Sequence, residues 1–140
     1  MKLPLPAATS QTGFSLVELL VTMTIVATLA GVAVPSYIDY MRRGAVEEAI
    51  AALASGKIAA EQFYLDNRTY DGLPCPGATS KFTFSCTGDT DSYALVATGS
   101  GNVAGFIYTL DQADNRSSSS GDEWGVDAAC WVLRKGQSCP

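Results

Sequence analysis

From Leu19 to Ile38 the chain runs for 20 residues without a charged side chain. At about 1.5 Å rise per residue, a helix of that length matches the ~30 Å hydrocarbon core of a bilayer. No other feature constrains the fold as strongly. A cleavable secretory signal would have a basic start, a shorter apolar core and a small-residue junction after that core. Here the order is reversed. A short leader, Met1 to Gly13, carries one lysine, Lys2, and the candidate junction Gly13-Phe14 stands ahead of the apolar run.

Composition narrows the remaining chemistry. A net charge of −5 excludes a protein whose whole surface is a nucleic-acid footprint, while leaving room for a local basic patch. The chain has no histidine. That removes Ser-His and Cys-His nucleophile pairs and nearly every zinc site except an all-cysteine one. Cys75, Cys86, Cys130 and Cys139 have no C-x-x-C spacing, so an even count with loop-sized gaps reads as two disulfides. Of the three connectivities, sequential pairing is favoured because both loops are short, each contributing on the order of 2–3 kcal/mol. Disulfides need an oxidising compartment, which places residues from about 75 onward outside the cytoplasm. This outweighs Arg42 and Arg43, which alone argue for the opposite orientation. Asp111, Asp114 and Asn115 lack EF-hand spacing and read as turn residues, as do Asp89 and Asp91, so neither a metal nor another cofactor is expected.

Glu18 is the one charge between Phe14 and Ile38. A carboxylate in an apolar spanning segment costs several kcal/mol unless paired. Cleavage after Gly13 would free a protonated amine on Phe14, four residues away in one helix or in trans between staggered subunits. Gly13, Phe14 and Glu18 resemble the class III leader of the type IV pilin and pseudopilin family. The resemblance implies cutting after Gly13 by a prepilin peptidase, N-methylation of Phe14, and assembly through Glu18 with other pilin subunits. It also implies the inner-membrane pilus assembly machinery as a partner, with membrane lipid around the helix before assembly. The chain would sit single-pass in the inner membrane with its C-terminus outside, then in an extracellular pilus.

Beyond Pro35 the apolar pattern becomes periodic. Ile38, Met41, Ala45, Val46, Ala49, Ile50 and Leu53 recur at three and four residues, opposite Arg42, Arg43, Glu47 and Glu48. This predicts one amphipathic continuation of the membrane helix, with an Arg43–Glu47 pair, ending near Leu65. Gly31 and Pro35 predict a break, either a bend or local melting. Residues 61–70 resemble the end of the long helix in type IVa pilins. Alternation predicts strands at 80–86, 92–98, 105–111 and 129–134, with Ser117 to Gly121 as an exposed crossover loop. The expected class is α+β: a long N-terminal helix, half membrane-spanning and half amphipathic, packed against a small four-stranded antiparallel sheet, as in the pilin fold. The expected division is a leader at 1–13, a membrane and filament-core half at 14–41, and a head at 42–140.

Residues 108–112, Asn115-Arg116 and Cys130-Trp131 resemble the sheet region of PilE-like minor pilins. The implied function is a non-enzymatic structural subunit of a type IV pilus, with adhesion, twitching motility and DNA uptake among the roles such fibres serve. Two alternatives stand beside it: a DNA- or surface-binding pilin, and a type II secretion pseudopilin, which the four cysteines disfavour. Arg134 and Lys135, joined by Arg116 and Lys81, form the candidate DNA or ligand patch. A solvated surface outweighs nucleic-acid binding there, given the negative net charge.

Overall fold

The computed structural model describes residues 13–137 and Cys139, without the side chains of Asp122 and Glu123. The leader expected at 1–13 lies outside these residues apart from Gly13. Helix α1 spans Leu16–Asn67. Ser15 caps it: its Oγ accepts from the Glu18 amide at 3.2 Å, and Glu18 sits in the first turn, where a carboxylate suits the positive end of the helix dipole. At the other end, the Arg68 amide donates to the Tyr64 carbonyl at 2.8 Å, and Arg68 itself takes a left-handed φ of 57°.

The helix is continuous through Gly31 and Pro35, so of the two expected forms of break, a bend or local melting, the chain shows no melting there. Proline at this position removes one backbone bond and crowds the carbonyl four residues back. That carbonyl belongs to Gly31, which has no side chain to add to the crowding. Thr22, Thr24 and Thr28 return their hydroxyls to carbonyls one turn earlier, as in Thr22 Oγ1 to the Leu19 carbonyl at 2.9 Å, so these three hydroxyls do not need water.

Two compact units meet in sequence between Tyr37 and Ile38. The first, among the described residues, is the start of α1 preceded by Gly13–Ser15; the helix is long and apolar enough to cross a membrane, and none of the described residues of this unit is buried. The second is an α+β layer. Ala45, Val46, Ala49, Leu53, Gly56 and Ala60 form the buried stripe of α1, against Phe82, Leu95, Tyr108 and Leu110 of the sheet. Ile38 and Met41, expected on that stripe, remain 42% and 47% exposed. Arg43 pairs with Asp39, one turn back, rather than with Glu47. An acid four residues before a base is the better orientation in the helix dipole, which favours this partner.

The sheet has five antiparallel strands in sequence order: β1 (Phe82–Gly88), β2 (Tyr93–Gly99), β3 (Phe106–Asp111), β4 (Arg116–Ser120) and β5 (Val126–Asp127). Leu95 stands opposite Cys86 on one side and Leu110 on the other, which aligns the inward-facing row. A short helix, α2 (Gly121–Trp124), carries Trp124, whose ring meets Phe106 edge-on at 5.0 Å.

The fourth strand is therefore not where alternation puts it. The serine-rich segment expected as a crossover loop is β4, and 129–134 is not a strand. Ser118 and Ser120 face inward, 3% and 1% exposed. Ser118 Oγ donates to the Cys130 carbonyl at 3.0 Å and accepts from the Val132 amide at 2.9 Å, and Ser120 Oγ donates to the Gly125 carbonyl at 2.6 Å. These bonds let hydroxyls occupy core positions, and they tie down the 129–134 segment by side chains in place of a strand ladder. Disulfides join Cys75 to Cys86 and Cys130 to Cys139.

Candidate functional site

Two sites matter, one in each unit. In the first, Gly13 is exposed with open space where a Cβ would stand, and Phe14 is 79% exposed. The Gly13-Phe14 junction lies outside the helix, with Phe14 two positions before its first residue, Leu16. The Glu18 amide is taken by Ser15, whereas its carboxylate has no ion pair among the described residues. Glu18 thus serves its own helix N-terminus through the backbone and leaves the anion available.

The second site is built on the last part of the head. Trp131 is fixed by its indole N–H, which donates to the Thr109 carbonyl at 2.8 Å. The Arg116 guanidinium lies over that ring, 4.8 Å from its centroid, a cation–π arrangement that holds the cation at the surface. Arg116 also bonds Asp114 at 2.9 Å, and Lys57 reaches the other oxygen of the same carboxylate at 2.6 Å. Hydrogen bonding from Lys57, then from Arg116, holds the Asp114 carboxyl below the usual carboxylate range.

Arg134 and Lys135 are exposed in the loop closed by Cys130 and Cys139. That loop is positioned from beneath: the buried Tyr108 hydroxyl donates to the Val132 carbonyl at 2.8 Å, beside the Ser118 bonds. Burial pushes the Tyr108 phenol upward, so it stays a neutral donor. Lys81, grouped with this patch on sequence, is not part of it. It precedes Phe82, whose partner is Gly99, at the end of the sheet away from the Leu110–Arg116 pair.

The turn residues satisfy themselves. Asp111 accepts from the amides of Ala113 and Asn115 and from Asn115 Nδ2, all within 2.9 Å, and the Asn115 side chain is the main cause of its lowered pKa. Asp89 does the same with Asp91 and Ser92. The Asp127 carboxylate lies within 4.8 Å of both Cys130 and Cys139 sulfurs, but sulfurs joined in a disulfide offer no thiolate to a metal.

Sequence reasoning missed Ser15 and Lys57, and read Asp114 only as a turn residue. Ser15 was legible as the start of an S-x-x-E capping box. Lys57 and Asp114 were not, since 57 positions separate them and no local pattern connects a helix face to a distant hairpin.

Comparison with known proteins finds matches to both parts of the chain. Residues 35–133 match the family described as "Type IV minor pilin ComP, DNA uptake sequence receptor", and residues 9–34 match the prokaryotic N-terminal methylation motif. A type IV major pilin protein PilE1 of Neisseria gonorrhoeae is 39% identical over 79 residues, covering 52% of this chain and 48% of the relative. A fimbrial protein of Pseudomonas aeruginosa is 33% identical over 94 residues, covering 67% and 58%. The chain spans about half the length of the curated relatives it matches. No solved structure matches it. With the head and the N-terminal motif both matched, the chain belongs to the type IV minor pilin ComP family.

Proposed function

We propose that this chain is cut after Gly13, methylated at Phe14, held in the inner membrane with its head outside, and built into a type IV pilus as a minor, non-enzymatic subunit. The division at work is the leader 1–13, a membrane and filament-core half at 14–41, and a head at 42–140. The observation that carries this reading is a helix exposed at every residue from Leu16 to Ile38, preceded by the Gly13-Phe14 junction and carrying a Glu18 carboxylate with no ion pair among the described residues. Moving such a helix from lipid into a bundle of neighbouring helices changes one apolar surrounding for another, so packing and directed polar contacts decide the outcome. Glu18 and a charged Phe14 amine on a neighbouring subunit supply the direction. The partners are other pilins, a prepilin peptidase and the membrane assembly machinery. Glu18→Ala is expected to leave cleavage intact and to deplete the protein from sheared filaments; undiminished incorporation contradicts the pairing.

A second role is favoured by Arg116 stacked on Trp131 next to the loop that carries Arg134 and Lys135. An arginine held on the Trp131 face, with two further cations in the disulfide loop that carries that ring, suits a phosphate backbone, and the matched family is described as a DNA uptake sequence receptor. We propose that the head captures DNA there. Duplex binding by the full chain in neutral detergent should fall steeply with salt and be lost on Arg134→Ala with Lys135→Ala; unchanged binding contradicts it.

A further inference from the structure

Asp114 is the meeting point of two cations from distant parts of the chain. Lys57 comes from α1 and Arg116 from the start of β4, and each takes a different oxygen of the one carboxylate, at 2.6 and 2.9 Å. All three side chains keep contact with solvent, between 34% and 46% exposed.

The backbone of Asp114 and the Arg116 guanidinium are each held by other contacts besides this one. Asp111 knots the hairpin with its three accepted hydrogen bonds, and the Asp114 amide donates to the Asp111 carbonyl at 3.1 Å. Asp114 itself adopts a left-handed φ of 63°, which aspartate and asparagine tolerate better than most residues. Arg116 is held by Trp131, whose ring is fixed by its own bond to Thr109. Beside Arg116 opens a cavity of about 310 Å³, lined also by Thr109, Asp111, Asn115 and Ser117, so the guanidinium borders open space as well as Asp114. Two cations that converge on one oxyanion, one of them held on an aromatic ring, are an arrangement that binds a phosphate.

We propose that Lys57 and Arg116 form a phosphodiester site which the protein's own Asp114 carboxylate occupies, and which a nucleic-acid backbone enters by displacing that carboxylate. For its ligand class this rests on the DNA reading given above. Asp114 stands in for a phosphate: it keeps the two cations together and lowers affinity for any polyanion too weakly held to compete. The exposed carboxylate can swing outward without disturbing the hairpin, since the turn is closed by Asp111. The site shares Arg116 with the patch proposed above and adds Lys57 to it.

The test uses the full chain in neutral detergent and a fluorescently labelled DNA duplex, with affinity measured between 50 and 200 mM salt. Asp114→Asn keeps the shape and the left-handed backbone but removes the charge. Freeing two cations is expected to tighten binding roughly fivefold or more and to steepen the log–log salt slope by about one to two. Asp91→Asn, at the same end of the sheet, changes net charge equally and is the control; it should shift affinity by less than about twofold. Adding Lys57→Met to Asp114→Asn should erase most of the gain. Equal effects of Asp114→Asn and Asp91→Asn, or a gain that survives loss of Lys57, overturn the proposal. If wild-type binding needs Arg134 and Lys135 while Asp114→Asn gains nothing, the self-occupied site falls and the DNA reading stands. Tight binding by Asp114→Asn that ignores Arg134 and Lys135 supports the fork and removes the patch. Failure of every variant to bind the duplex removes both.

Discussion

Ser118, buried on β4, accepts a hydrogen bond from the amide of Val132 at 2.9 Å. With the Cys130 carbonyl accepting from the same hydroxyl, this serine alone attaches the C-terminal segment to the sheet at two backbone groups. Ser118→Ala would strand a buried N–H and a carbonyl, and should cost about 1–3 kcal/mol. Denaturant unfolding of the full chain in detergent measures it; a loss below a few tenths of a kcal/mol means water replaces the hydroxyl.

Gly56 gives a second test with an internal control. A Cβ there would come within 2.8 Å of Pro76 Cγ and 3.1 Å of Leu95 Cδ1. Gly56→Ala is expected to destabilise by about 1–3 kcal/mol through overpacking. Gly44, in the same helix, has nothing within 4 Å of that position, so Gly44→Ala should stabilise by roughly 0.5–1 kcal/mol through helix propensity alone. The same sign for both substitutions would contradict the packing described.

These two positions show what the sequence conveys and what it hides. The helix and the strands β1 to β3 are legible because apolar side chains repeat at helical or alternating spacing, as in Phe82, Phe84 and Cys86 or Tyr93, Leu95 and Ala97. β4 is illegible because its inward residues are serines, whose burial depends on acceptors elsewhere in the chain. Trp131 and Leu133 alternate like a strand, yet that segment is held by Tyr108 and Ser118 side chains. The same limit applies to the sites. Gly13, Phe14 and Glu18 lie within one short motif, whereas the Lys57–Asp114–Arg116 cluster exists only after folding.

The β3–β4 hairpin should be acid-labile. Asp111 has a folded pKa below its ordinary value, chiefly because Asn115 bonds its charged form. A depressed carboxylate contributes stability that is fully present above its unfolded pKa, about 3.9, and is lost as pH falls through the lower folded value. Amide exchange at Ala113 and Asn115 should therefore accelerate relative to the rest of the sheet as pH drops below about 4. In Asp111→Asn that local acid sensitivity should vanish; an unchanged acid profile contradicts the assignment.

Mapping of unreduced peptides should recover Cys75 with Cys86 and Cys130 with Cys139. Replacing Cys130 and Cys139 by serine should cost on the order of 2–3 kcal/mol. Because Val132 is anchored independently, the loss should be confined to the loop carrying Arg134 and Lys135, leaving protection of β3 and β4 amides intact. Exchange that spreads into β3 would show that the disulfide, rather than Ser118 and Tyr108, holds the segment.

The central claim is that this chain is a processed subunit of a pilus filament, and intact-mass spectrometry of protein from sheared filaments tests it most directly. The expected species begins at Phe14, carries one N-terminal methyl group and retains two disulfides. Filament material that still begins at Met1, or filaments that lack the protein when the cells express it, would contradict the account.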